Sequence, residues 1–458
     1  MNLKVGGKKE RKQSNLLFAL KLLPVFALAV GVGAGILLYE REKPLVSLTE
    51  KLTLVGKSQD LGLRVVDEKS GIRRLEVALV QNDNRVPLLV KDFPRQGYFF
   101  HAGPNHLEET VTIKPGAAGL IDGPVNLVIS ARDFSFWNWL AGNESVLETS
   151  FILDTRPPEV ALVDSTRYLR PGGSGMVVYR VGEMTEHHGV MVNGFFHPGF
   201  PLPKRGEGFY GAIIGLPYDL VKFEDVYATA TDRAGNEGRA NFGMILRKAD
   251  FRMDRRIDVP DAFLELKLPE FRNHYTEMTG DNLKQYVFVN SEVRKLNYQR
   301  ILEVCRVSAP EAYWSGHFGR MARSSRQAGF GDHRVYYYHD QEVDRQVHLG
   351  IDLASVRHAE VDAANGGVVV FAEYLGIYGN TVIVDHGQGI FSLYSHLSQI
   401  TVARDAVVKK GDVLGLTGST GMAGGDHLHF SMLVNGIFVN PQEWWDQGWL
   451  DVNVLNHM

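Results

Sequence analysis

His427 and His429 stand one residue apart in GGDHLHF (424–430), in a chain of 458 residues that holds 16 histidines. On a strand, residues two apart share a face, so these imidazoles would project side by side with Cα atoms roughly 7 Å apart. That is close enough for both to work in one site. Upstream, HLGID (348–352) supplies His348 and Asp352. A straight strand would hold that pair ~13 Å apart, too far to bind one ion, so a helical turn or a bend must bring them together. Gly350 between them favours the bend. His348, Asp352 and His429 would offer two imidazoles and one carboxylate, suitable donors for a catalytic Zn2+ that keeps a fourth position for water. Ca2+ and Mg2+ sites usually use oxygen donors only. YSHLS (394–398) adds His396 in the same region. Each signal is weak alone, and their combination is what makes a metal constellation.

The elements that must position these residues read as strands and tight turns. GGVVVFAEY, NTVIVDHGQG, FSLYSHL and VLGLTGSTG, between about 311 and 450, describe one compact antiparallel β domain. Within it HLGID, YSHL and GGDHLHF followed by Asn440-Pro441 resemble the lysostaphin/LytM-type zinc metallopeptidases. VDAANGGVVVFAEY, YGNTVIVDHGQG and VVKKGDVLGLTGSTG fall where that family has its core strands and turns. The resemblance covers roughly residues 315–445. It implies that His348, Asp352 and His429 bind zinc while His396 and His427 stay unliganded beside it as catalytic groups. It also implies hydrolysis of peptide bonds in peptidoglycan stem peptides or cross-bridges. Two residues depart from the family's pattern. Ser431 stands where Glu is common, which implies altered surroundings without loss of metal. Asp426 precedes His427 as an acceptor for an imidazole or as a turn residue. Of the other polar groups, His386 reads as structural, and His317 and Arg334 as packing residues ahead of the first ligand.

Upstream of this domain, residues 45–247 also read as β. IRRLEVALV (72–80) alternates, with Leu75, Val77 and Leu79 on one face. ISARDFSFWN (129–138) and ATATDRAGN (228–236) echo each other about one β-sandwich apart, and DTRPPEV (154–160) between them suits a semi-rigid linker. The pattern resembles bacterial Ig-like modules, with Asp133 and Asp232 as turn residues rather than calcium ligands. His187 and His188 would point to opposite strand faces and cannot easily share a metal. Residues 248–314 read as a partly helical connector without chemistry, in which Ser291 would cap a helix presenting Val293, Leu296 and Ile301.

The N-terminus carries Lys4, Lys8, Lys9, Arg11 and Lys12, and Leu22–Tyr39 holds no charge. Eighteen helical residues span roughly 27 Å, close to the ~30 Å hydrocarbon core. The basic end places residues 1–15 in the cytoplasm, 16–40 as an uncleaved anchor in the cytoplasmic (inner) membrane, and the bulk of the chain outside, in the periplasm. The expected architecture is therefore mainly β: an N-terminal transmembrane helix, Ig-like β-sandwich modules at 45–153 and 154–247, the connector at 248–314 and the zinc peptidase domain at 315–448. A net charge of −4 gives no reason to expect nucleic acid. Cys305 has no disulfide partner and reads as a core residue. Peptidoglycan is the expected partner, with a protein partner possible at the Ig-like modules. A catalytically silent regulator that activates another cell-wall hydrolase is the alternative, weakened because all five polar positions are present. A lipoyl-type carrier, suggested by VVKKGDVLGL, would leave the histidines unexplained.

Overall fold

The computed structural model describes residues 20–33, 40–97, 100–185 and 187–458. The chain forms two compact units, one of residues up to 156 with 233–236, the other of 157–232 with 237–458. Residues 20–33 are helical and mostly exposed, and residues 16–19 and 34–39 of the expected 16–40 anchor lie outside the described residues. Among the described residues no helix is long and apolar enough to cross a membrane.

The first unit is built from two sheets. Leu45–Leu48, Gln59–Val66 and His106–Ile113 form one; Leu54–Val55, Glu144–Leu153, Gly123–Asp133, Ile72–Gln81 and Asn84–Asp92 form the other. The alternation of Ile72–Gln81 works as its pattern requires, burying Leu75, Val77 and Leu79 in one core with Leu61, Leu63 and Val65. Asp133 does turn chemistry: its Oδ1 accepts from Ser135 N at 3.0 Å and Asn143 N at 2.7 Å.

In the second unit, residues 157–247 make two four-stranded sheets, and one strand explains how they are used. Ser174–Val181 buries both faces. Val177, Tyr179 and Val181 point into the core between the two sheets, whereas Met176 and Val178 join the core of the C-terminal domain. Period-two alternation thus splits one apolar run between two cores. Polar contacts reinforce the docking: Trp444 Nε1 donates to Ser174 Oγ at 3.2 Å, and Thr166 Oγ1 donates to Asn453 O at 2.7 Å. This module is therefore packed into the core of the domain that follows it. His188 lies 2.7 Å from the Tyr179 hydroxyl, a packing role.

The connector is more helical than its sequence suggested. Helices α1 (Asp261–Arg272), α2 (Asn282–Phe288) and α3 (Arg294–Val304) are present, with a π-helical segment at Val289–Val293 joining the last two. Ser291 is not a cap. Its Oγ donates to Val287 O at 2.7 Å inside the π segment, and Asp281 caps α2 by accepting from Lys284 N at 2.9 Å. Val293 and Ile301 are buried, but Leu296 is half exposed. Cys305 is a buried thiol, pushed up by burial.

The C-terminal domain centres on an antiparallel sheet. Its strands are β1 (Ser325–Ala328), β4 (Ile351–Ala354), β5 (Gly367–Tyr374), β6 (Asn380–Gly387), β7 (Ile390–Leu397), β8 (Val407–Val408), β9 (Leu428–Val434) and β10 (Ile437–Val439). Strands β2 (Asp332–Tyr338) and β3 (Gln341–His348) form a hairpin beside it. The spatial order β1-β4-β9-β7-β6-β5-β8 puts β7 in the middle with β9 beside it, and every residue of β7 and β9 is buried.

Glu443 accepts from Ser174 N at 2.9 Å, and burial pushes its carboxyl up to about 8, opposed by that hydrogen bond and by Arg170. The folded chain thus holds a proton that the unfolded chain releases above its ordinary 4.5. Stability from this group is full below that value and is lost as pH rises through about 8. The thermal midpoint of the protein is expected to fall across this window. Glu443→Gln, which keeps a neutral group at Ser174 N, should flatten the fall; an unaltered slope by calorimetry would place the titration elsewhere.

Candidate metal centre

His348 closes β3, a bend at Leu349–Gly350 reverses the chain, and Asp352 enters β4. Strand β4 pairs with β9 so that Asp352 lies opposite His429. Gly350 is needed because a Cβ there would stand 2.6 Å from the His429 ring and 2.6 Å from Ser431 Oγ. The bend expected from Gly350 is present.

Three donor atoms converge as a result. His348 Nε2 lies 2.9 Å from Asp352 Oδ1 and 2.9 Å from His429 Nδ1, and His429 Nδ1 lies 3.0 Å from Asp352 Oδ1. All three residues are buried, and they are a group that can hold a metal ion. Their outer contacts set the tautomers. His348 Nδ1 faces Gly329 O at 2.8 Å, and a carbonyl only accepts, so Nδ1 carries the proton. His429 Nε2 lies 3.0 Å from Ser431 Oγ, whose one hydrogen goes to Leu349 O at 2.8 Å, so Nε2 donates. Two lone pairs and a carboxylate oxygen therefore confront one another in a buried space. A tetrahedral Zn2+ with donors at ~2.1 Å spaces them roughly 3.4 Å apart, so a small outward shift fits the ion.

Arg334 completes the surroundings of Asp352. Its Nη2 donates to Asp352 Oδ2 at 3.1 Å, which leaves Oδ1 alone facing the two imidazoles. Burial by itself would push the Asp352 carboxyl up, but positive charge on His348 and hydrogen bonds donated by His348, His427 and His429, whenever these rings carry the extra proton, outweigh it and hold the carboxyl well below the usual range. Burial pushes His429 down to about 4. Arg334, read from the sequence as packing, instead touches a candidate ligand and lines the cleft.

His396 and His427 sit beside this group. Their rings are 4.9 Å apart, and the His396 ring is 5.8 Å from that of His429. His396 Nδ1 donates to Thr420 O at 2.9 Å and His427 Nδ1 to Gly425 O at 2.9 Å, so each ring keeps its Nε2 free of these backbone contacts. Burial first, then the neighbouring imidazoles, hold His396 well below its ordinary value. Burial would lower His427 too, but Asp352, whose Oδ1 is 3.6 Å from its Nε2, raises it overall. His396 has φ +65°, and the β6–β7 register slips beside it between Asn380 and Val382. Such a bulge re-aims a side chain that regular alternation would misplace.

The connector buttresses this machinery. Lys267 on α1 donates to Ser419 O, and Glu270 accepts from Gly421 N at 2.7 Å, which fixes the loop whose Thr420 carbonyl orients His396. Asn297 on α3 accepts from Ile377 N at 2.9 Å, beside Tyr378, whose ring lies 5.6 Å from that of His429. A cleft of about 1360 Å³ opens over the centre, walled by Phe195 and Tyr218 of the β module, Tyr286 and Arg294 of the connector, and His396 and His427. The reading of the connector as free of chemistry is thus corrected. Its contribution had no motif; only the polar Asn290, Arg294 and Asn297 at helical spacing marked one face.

The remaining sequence candidates fall outside. His317 is exposed and bonds Gln447. His386 is buried, with its Nδ1 2.6 Å from Gly366 O and its Nε2 2.7 Å from Ser392 Oγ, a structural role. Asp426 accepts from Thr417 Oγ1 at 2.6 Å and is a turn residue. Ser431 supplies the support for the ligand imidazole instead.

Residues 346–441 match Peptidase family M23, and the C-terminal part of the chain carries a domain of that family, the LytM/lysostaphin family. Over 96 residues the chain is 42% identical to DD-carboxypeptidase/endopeptidase Mpg of Neisseria meningitidis and 38% identical to peptidoglycan DD-endopeptidase ShyA of Vibrio cholerae. It is 36% identical over 95 residues to the murein hydrolase activator EnvC of Escherichia coli. Each match covers 21% of this chain and about a fifth of the relative (22%, 22% and 23%).

Because the Ser431 hydroxyl fixes the His429 tautomer, Ser431→Ala is expected to weaken zinc binding about 10- to 100-fold. Competition against a chromophoric chelator measures this. An unchanged affinity would show that the hydroxyl does not orient the ligand.

Proposed function

We propose that this chain is a zinc endopeptidase acting on peptidoglycan peptides, on the strength of its M23 domain and the geometry of its five polar side chains. The observation that carries the reading is the pairing of a three-donor group with two further imidazoles whose protonated nitrogens are tied to backbone carbonyls. His348, Asp352 and His429 would hold the metal, which when bound lowers the pKa of a water toward ~7 and polarises a carbonyl. His396 and His427 present Nε2 beside that centre, one to accept a proton and the other to steady negative charge on the scissile carbonyl oxygen. Arg334 keeps Asp352 in a single orientation, and Tyr378 packs against the edge of the site. The cleft walls exclude water from one side of a bound peptide.

The N-terminal segment supports placing the enzyme at the outer face of the cytoplasmic membrane. The described helix 20–33 leaves Leu20, Leu23, Phe26 and Leu28 60–71% exposed, an unfavourable arrangement in water that a bilayer would relieve. A regulatory role alone, of the activating kind that the name of EnvC gives for that relative, would not require His396 and His427 to be oriented beside an intact donor set.

The full chain, loaded with zinc, is expected to release new amino termini from purified peptidoglycan, read by liquid chromatography and mass spectrometry. A chelator should abolish the release. His427→Ala should keep its zinc yet lose about 10²- to 10⁴-fold in rate. Folded, zinc-loaded protein that releases no amines would sink the enzymatic reading and leave the regulatory one.

A further inference from the structure

Among the described basic side chains of the cleft, Arg294 and Lys295 have no acidic partner. Lys222 pairs with Glu224 at 2.8 Å, and Arg334 pairs with Asp352 at 3.1 Å. Lys295 is exposed, whereas Arg294 is half-buried at the cleft wall and, among the described residues, bonds only to Asn290. That bonding is directional. Arg294 Nε donates to Asn290 O at 3.0 Å and Nη2 donates to Asn290 Oδ1 at 2.5 Å. Asn290 is itself held by Asp344, whose Oδ2 accepts from its Nδ2 at 2.7 Å. One edge of the guanidinium is thus fixed, and the opposite edge, Nη1 with the second hydrogen of Nη2, remains uncommitted.

The backbone puts this edge near the metal centre. Asn290, Arg294 and Asn297 lie four and three residues apart and share one helical face. Asn297 anchors that face to Ile377 N at 2.9 Å, next to Tyr378, whose ring packs on His429. The π segment Val289–Val293 directly precedes Arg294, and such segments recur at functional sites because they shift side chains around the helix. A half-buried guanidinium with a free fork calls for a planar anion, and a carboxylate matches it in a bidentate way.

We propose that Arg294 binds a free carboxylate of the peptide substrate close to the scissile bond, making the enzyme selective for peptides that carry an acid there. This rests on the endopeptidase reading and adds the chemical class of the substrate. A peptide whose residue beside the scissile bond carries a free carboxyl has this character; its carboxamide analogue has the same size without the charge.

The test compares these two peptides on the full, zinc-loaded chain. The acid is expected to be cut with roughly 10- to 100-fold higher kcat/KM than the amide, the worth of one charged hydrogen-bonded contact. In Arg294→Gln the preference should collapse, with zinc content and thermal midpoint unchanged. Arg294→Lys, which keeps charge without the fork, should restore part of it. Equal rates for acid and amide in the native protein, or a preference that survives Arg294→Gln, would overturn the assignment. If neither peptide is cut, calorimetric titration with the same pair separates the two readings. Tighter binding of the acid that Arg294→Gln abolishes keeps the carboxylate site while removing the endopeptidase reading for this bond. No difference in binding overturns the site.

Discussion

The structure turns on a buried electrostatic conflict. Two imidazole lone pairs and a carboxylate oxygen are held about 3 Å apart on buried side chains. With both imidazoles neutral, no choice of tautomer on His348 and His429 removes the conflict without breaking the bonds to Gly329 O and Ser431 Oγ. A divalent cation resolves it at once. Much of the C-terminal domain can be understood as the apparatus that maintains this conflict: the bend at Gly350, the β4–β9 register that sets Asp352 opposite His429, and the Arg334 guanidinium that occupies the second carboxylate oxygen.

Around that centre, elements distant in sequence divide the labour. The central sheet carries Asp352 and His429, the adjoining hairpin ends in His348, the bulge in β7 aims His396, and the connector helices hold the loops at 376–378 and 419–421 from outside. The β module contributes a cleft wall and, through Met176 and Val178, part of the domain's core. Each such buried aliphatic side chain is worth roughly 1.5–3 kcal/mol, so the module is structural to the domain it adjoins.

How much of this the sequence disclosed depended on whether the relevant interaction was local. The strand alternation of Leu75, Val77 and Leu79 was readable because period and burial coincide within one element. So was the need for a bend at Gly350, since a straight strand could not bring His348 and Asp352 together. Spacing made the pairs His348/Asp352 and His427/His429 legible, while their convergence on one site was legible only through the resemblance of HLGID and GGDHLHF to a known family's motifs. Other features depend on partners far away in the chain. Arg334 reads as one more basic residue until β2 is laid beside Asp352. Ser431 looks like a departure until Leu349 O is seen to take its hydrogen. The helix start at Asp281 was missed because Ser291, a good capping type, lies inside a π segment where its hydroxyl turns back on Val287.

The strand Ser174–Val181, with alternate side chains in two cores, also has a consequence for modularity. A domain joined to its neighbour by a loop can be exchanged or excised like a cassette. Here excision would strip an apolar face from the C-terminal sheet and leave a matching one on the severed module. The two would melt as one cooperative block, and metal held at His348 and His429 would lend stability to strands that never approach it. Recombination of the C-terminal domain onto other scaffolds would have to carry this β module with it.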